Sequence, residues 1–229
     1  MVLLILDIDG TLVDAEGAAL RSMNRTIEKL FGVQSAMEGR AASHFGRTDP
    51  QLIEDAFHRH HLPMPPNWPL IETEYHRFLA DELQQRPGHA IPGAKAFVQR
   101  MAVREQVALA LGTGNFRQGA YLKLAAHQMA GFFPVGGFGE DGPERSQVMN
   151  RAVSAAQAYY GQQFIQSAVV IGDTPLDIEG AHKIDLPCLS VASGHYSVDM
   201  LKAAGADMVV PDLAHADEAL GEWFGTSWQ

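Results

Sequence analysis

One cysteine, Cys188, occurs in 229 residues, so no internal disulfide can form and nothing points to an oxidising compartment. No apolar run approaches the roughly 18 residues that a membrane span requires. The opening run, Val2–Leu6, is cut off by Asp7 and has no basic flank of the kind that precedes a signal peptide core. Positive charge is scarce: 17 Lys and Arg stand against 27 Asp and Glu, a formal charge of −10. That balance argues against a protein whose business is gripping nucleic-acid phosphates. No Gly-x-x-x-x-Gly-Lys loop occurs, and Gly112-Thr113-Gly114 fails as a dinucleotide fingerprint because Arg117 stands where the third glycine belongs. Internal repeats and low-complexity tails are also missing. A globular, cytoplasmic protein is expected, without nucleic-acid or membrane partners; its oligomeric state is not readable.

What is there is an alternation. Short apolar runs end in polar or glycine-rich turns: Val2–Leu6 before Asp7, Val107–Leu111 before Gly112 and Ala168–Ile171 before Gly172, with Cys188–Val191 and Met208–Val210 as further candidates. Runs of this kind without polar alternation read as strands of a parallel sheet buried on both faces. Between them, Ala94, Phe97, Val98 and Met101 recur at helical spacing, as do Met149, Ala152, Val153 and Ala156. The fold class is therefore α/β, a doubly wound parallel sheet. One stretch breaks the pattern. From Asp14 to Arg86 only helices are predicted: one through Leu20, Met23, Ile27 and Phe31 that stops at Gly32, one starting near Asp49-Pro50, and one from about Pro69 to Leu83. The simplest division is a core of residues 1–13 and 88–229 with an all-helical insert, 14–87, after the first strand.

In such sheets chemistry collects at the carboxyl ends of the strands. The first strand presents Asp7-Ile8-Asp9-Gly10-Thr11, the second Gly112-Thr113-Gly114-Asn115, and the third Gly172-Asp173-Thr174-Pro175-Leu176-Asp177. Asp7, Asp9, Asp173 and Asp177 in one crevice cannot all stay ionised unaided. A hard divalent cation relieves them, and Mg²⁺ suits a few carboxylates that leave room for water or phosphate. The Thr113 hydroxyl, the backbone N–H of Gly114 and the Arg145 guanidinium supply donors for a phosphate. A carboxylate nucleophile, a second carboxyl two residues on, a cation and phosphate donors amount to phosphoryl transfer through an aspartyl-phosphate. Thr174-Pro175-Leu176-Asp177 also reads as a helix start, so Asp177 has a structural reading beside the functional one. His58, His60 and His61 read as a solvated helix end, and Tyr159-Tyr160 as packing.

These strings resemble the haloacid dehalogenase superfamily of phosphatases. Asp-Ile-Asp-Gly-Thr-Leu-Val-Asp at 7–14 is similar to its nucleophile motif, Thr113 to its second motif, and Gly-Asp-Thr-Pro-Leu-Asp at 172–177 to its metal motif. The helical insert matches the family's C1-type cap, and the layout is similar to phosphoglycolate phosphatase-like members. The resemblance implies that Asp7 is the nucleophile and a Mg²⁺ ligand. Asp9 would be the general acid and base, its backbone carbonyl a further ligand. Asp173 would complete the protein ligands, with Asp177 acting through water or a neighbouring side chain. Thr113 and Gly114 would hold the phosphoryl group. The family's usual third-motif lysine is absent, no lysine lying between Lys123 and Lys183, and Arg145 stands in that interval.

In the cap, Gly46-Arg47-Thr48-Asp49-Pro50 reads as a helix start with an exposed arginine; the resemblance implies that this segment faces the active site, where Arg47 would instead meet a carboxylate or second anionic group on the substrate. The expected activity is Mg²⁺-dependent hydrolysis of a small-molecule phosphomonoester. The rivals are a phosphomutase of the β-phosphoglucomutase type, which would share every core residue named, and a silent phosphate-sensing or partner-binding module. The latter should have lost one of Asp7, Asp9 or Asp173, and all three are present.

Overall fold

A computed structural model describes residues 1–37, 45–63 and 67–228. Six parallel strands form the central sheet in the order β5-β4-β1-β6-β7-β8. They are β1 (Val2–Leu6), β4 (Val107–Gly112), β5 (Gly136–Gly137), β6 (Ser167–Gly172), β7 (Cys188–Val191) and β8 (Met208–Val210). Every residue of β1 is buried, because strands flank it on both sides and helices cover both faces. Its alternate residues feed two cores. Leu4 and Leu6 pack with α4 (Ala94–Ala102), α5 (Arg117–Ala126) and α9 (Ala216–Phe224), through Phe97, Met101, Leu124 and Leu220. Leu3 and Ile5 pack with α6 (Arg145–Tyr160), α7 (Pro175–His182) and α8 (Val198–Ala203), through Met149, Ala152, Ile178 and Leu201.

Register fixes where the strands end. Leu6 of β1 lies opposite Leu111 of β4 and Ile171 of β6. The next residues, Asp7, Gly112-Thr113 and Gly172-Asp173, therefore leave the sheet side by side. The Asp7 N–H bonds the Ile171 carbonyl at 2.9 Å, so the first acidic residue is still held by the neighbouring strand.

Among the described residues the predicted insert is present as three helices, α1 (Ala18–Phe31), α2 (Asp49–Arg59) and α3 (Trp68–Gln85). It does not follow β1 directly. A two-residue strand, β2 (Val13–Asp14), pairs antiparallel with β3 (His89–Ala90), so the two connections to the cap run side by side. α1 stops at Gly32, which takes the left-handed conformation (φ 73°) and returns its N–H to Glu28. α2 begins with Thr48, whose side chain and that of Gln51 cap each other's backbone, and Pro50 occupies the first turn. The cap has its own apolar cluster, built on Met23, Ile27, Phe57, Tyr75 and Leu79, into which the core residue Phe116 is inserted. Among the described residues no helix is long and apolar enough to cross a membrane.

One buried polar group in this cluster is uncompensated. His76 is 6% exposed, packs against Tyr75 and Phe116, and its Nε2 finds no partner among the described residues. Burial pushes its pKa down to about 4, against about 6.5 in an unfolded chain. Between those values the unfolded state binds the extra proton, so stability falls as pH drops through this window. His76→Leu removes the loss: its melting temperature should exceed that of wild type by several degrees at pH 5 and by less at pH 7.5. An equal effect at both pH values would reject this account.

Candidate active site

The three strand ends and the start of α6 converge on one cavity of about 190 Å³. Asp7, Thr113, Gly114, Arg145 and Asp173 line it, as do Asp9 and the cap residues Arg47 and Asp49. Ligand oxygens of Asp7, Asp173 and Asp177 all lie within 4.8 Å of one another, and all three residues are buried. The electrostatic cost of that arrangement is visible. Burial, reinforced by Asp177 and Asp9 and opposed by Arg145, pushes Asp7 up to about 6. Asp173 is raised well above the usual carboxylate range by burial and by Asp177 and Asp7. The Asp173 carboxylate sits in a groove without side chains: a Cβ on Gly10 or Gly194 would collide with it. The Thr11 hydroxyl donates to it at 3.3 Å. Three buried carboxylates with too little positive charge beside them are what a divalent cation would complete.

Arg145, the first residue of α6, is buried on the same side. Its Nη2 lies 3.1 Å from Asp7, bonds the Gly112 carbonyl at 3.2 Å and pairs closely with Asp177. Burial works against its charge, but Asp177 and Asp7 outweigh that and hold the guanidinium protonated. Its Nε is buried and has no acceptor among the described residues. Arg145 lines the cavity beside Thr113 and Gly114, so a buried cation stands where an anion could be held. Asp177 starts α7, as its position predicts, and also faces Arg145. Its Oδ2 accepts from the backbone and hydroxyl of Thr174 at 3.1 and 2.7 Å, starting α7, while its Oδ1 faces Arg145.

Two residues that the sequence reading passed over are part of this site. In the sequence Lys123 stands only as the last lysine before a long gap, and Asn115 only as the end of a glycine-rich turn. Lys123 lies on the buried face of α5 with Ala120 and Leu124, its side chain 2% exposed. Its ammonium bonds both oxygens of Asp9, at 2.8 and 2.7 Å, and Asn115 Oδ1 at 2.5 Å. Its position among apolar α5 residues was the available signal, since a buried charge requires a partner.

The cap reaches the cavity through residues 45–50. The Asp49 N–H bonds the Gly114 carbonyl at 2.7 Å, and the Asp49 carboxylate accepts from the Phe116 N–H at 2.9 Å and the Tyr75 hydroxyl at 3.1 Å. Burial pushes Asp49 up to about 6 against the pull of Lys123 and the Phe116 N–H. The approach is close enough to exclude side chains. A Cβ on Gly114 would collide with the Arg47 carbonyl, and one on Gly139 with the Gly114 carbonyl. Phe45 stacks on His195 of the core with ring centroids 3.9 Å apart. Arg47 lines the cavity, and its guanidinium is paired with Asp55 of α2.

The haloacid dehalogenase-like hydrolase family matches residues 4–191. The chain is 26% identical over 217 residues to a plasmid-borne phosphoglycolate phosphatase of Cupriavidus necator, covering 91% of this chain and 88% of the relative. In fold it is similar to a hydrolase from Pseudomonas syringae (TM-score 0.67, 18% identity, 97% of this chain and 99% of that one). It is similar too to CbbY from Rhodobacter sphaeroides in complex with xylulose-(1,5)-bisphosphate (TM-score 0.69, 20% identity, 93% and 94%). With the strand order, the helical insert and the carboxylate cluster already in place, the match over most of its length makes the chain a member of the haloacid dehalogenase-like hydrolase family.

Proposed function

We propose that this enzyme is a Mg²⁺-dependent phosphatase that hydrolyses a small-molecule phosphomonoester through an aspartyl-phosphate. The observation that carries the reading is the buried cluster of Asp7, Asp173 and Asp177, of which Asp7 and Asp173 line the same cavity as Thr113, Gly114 and Arg145. Asp7, the Asp9 backbone carbonyl and Asp173 would hold Mg²⁺, with Asp177 acting through water or through Arg145. When bound, the cation neutralises the carboxylates and lets a phosphate dianion approach one of them.

The chain's own groups then do the following. A carboxylate oxygen of Asp7 forms a bond to phosphorus as the ester P–O bond breaks, and the carboxylic acid of Asp9 passes its proton to the departing oxygen. Asp9, now ionised, takes a proton from water as that water attacks phosphorus. The bond between phosphorus and Asp7 breaks, releasing inorganic phosphate and restoring both side chains. Thr113, the Gly114 amide and Arg145 hold the phosphoryl oxygens throughout. Residues 14–87 act as the cap that excludes bulk water, and Arg47 is its cation for a second anionic group on the substrate.

The test is phosphate release from a panel of phosphomonoesters, including phosphoglycolate and sugar phosphates, with Mg²⁺ and with chelator. Release that depends on Mg²⁺ supports the reading, and the preferred ester begins to define the cap's choice. Silence across the panel from folded protein would reject it in favour of a mutase or a silent module.

Metal binding has a readout independent of turnover. Asp7 is pushed up to about 6 in the fold, against about 3.9 when unfolded. In chelator its ionisation therefore opposes folding increasingly as pH rises through that window, and Asp173 acts in the same direction. Mg²⁺ should raise the melting temperature by several degrees at pH 7.5 and far less at pH 5. A shift that is equal at both pH values would count against these ligands.

A further inference from the structure

Lys123 takes no part in the steps above, yet it sits at their centre. A lysine ammonium has three donors and no acceptor. All three are engaged, two on Asp9 and one on Asn115 Oδ1. That contact fixes which way the Asn115 amide faces, because Oδ1 must lie toward the ammonium. The Asn115 Nδ2 then points the other way, donating to Asp9 Oδ2 at 2.7 Å and to Thr113 Oγ1 at 2.8 Å. Thr113 Oγ1 accepts this bond and accepts the Asn115 N–H at 3.4 Å as well. A hydroxyl carries one proton of its own. With its lone pairs committed to Asn115, Thr113 has that proton left to give, and Thr113 lines the cavity.

We propose that Lys123 is a positioning residue that sets the direction of a hydrogen-bond chain, Lys123 to Asn115 to Thr113, so that the Thr113 hydroxyl donates to the phosphoryl group. The same ammonium holds the Asp9 carboxylate, which is 45% exposed and would otherwise turn freely toward solvent. Lys123 thus aligns the phosphate donor and the proton-transfer group from one buried point. The inference rests on the hydrolase reading for its consequence in turnover, but its geometry also predicts anion binding.

Two variants separate this role from general support of the fold. Lys123→Met should lower kcat/KM for an alkyl phosphate about 100-fold more than for p-nitrophenyl phosphate, whose leaving group departs without a proton. Loss of the Thr113 donor alone, or of a mere brace for α5, would lower both alike, so equal losses overturn the part of the proposal in which Lys123 holds Asp9 for proton transfer. Asn115→Asp keeps a partner for Lys123 but offers Thr113 an acceptor in place of a donor, drawing the hydroxyl proton away from the cavity. Its affinity for orthovanadate should fall at least about tenfold, with the melting temperature near that of wild type; unchanged affinity also overturns the proposal. Wild-type protein that hydrolyses neither ester would defeat the hydrolase reading, and vanadate binding by Asn115→Asp would still decide the direction of the chain.

Discussion

Asp7→Asn should give a folded protein whose phosphate release is lowered about 10⁴-fold or more. The substitution keeps the shape of the side chain and takes away the proposed nucleophile. No neighbour can replace it in place: Asp177 has both oxygens engaged by Thr174 and Arg145, and Asp173 is enclosed between Gly10 and Gly194. Arg145 loses one partner but keeps Asp177 and the Gly112 carbonyl. Folding should not suffer in chelator, because a buried carboxylate held near pH 6 is replaced by a neutral amide. Phosphate release, intact mass of the protein after exposure to substrate, and a melting curve in chelator test all three parts. Near-wild-type turnover would remove Asp7 from the mechanism.

Gly114→Val should lower kcat/KM at least about 100-fold while leaving the core folded. The new side chain collides with the Arg47 carbonyl, which is backbone and cannot swing aside. Relief requires the start of α2 to lift from the core, which breaks the bonds from Asp49 N–H to the Gly114 carbonyl and from the Phe116 N–H to Asp49. Hydrogen exchange should therefore quicken at the amides of Asp49 and Phe116 more than in β1. Gly131→Ala is the control, since a Cβ there meets nothing within 4 Å. If Gly114→Val turns over substrate like the control, the close approach of the cap is dispensable.

The sheet was readable because its interior strands must be apolar on both faces. Val2–Leu6, Cys188–Val191 and Met208–Val210 appear at their predicted limits, and the runs at 107–111 and 168–171 each gain only flanking residues. The edge strand Gly136–Gly137 has no side chains to announce it and exists through pairing with Leu111 and Gly112. Val13–Asp14 and His89–Ala90 are too short to carry a pattern and depend on the cap bringing them together. Tyr159-Tyr160 was read as packing, but only Tyr160 is anchored, through the Leu109 carbonyl; Tyr159 is 62% exposed. At the site, the acidic residues could be read because each follows an apolar run. Lys123 could not be assigned that way, since its partner Asp9 is 114 residues distant and only the sheet register joins them. Asp49 was legible as a helix start and not as a tie between cap and core, because its partners Phe116 and Tyr75 come from two other elements.

The docking of the cap has a consequence for how such an enzyme can change. Where residues 46–50 meet the core, the Arg47 carbonyl lies against Gly114, the Pro50 ring against Gly139, and Gly46 against the side chains of Thr174 and Leu176. This dock asks that a few positions lack a side chain and that a few side chains, Asp49 and Phe116 among them, be kept. The outward portions of α1, α2 and α3 are then free to be rewritten without renegotiating the joint. On the proposed function, a change of substrate preference would then fall on those outward portions, with the joint left as it is.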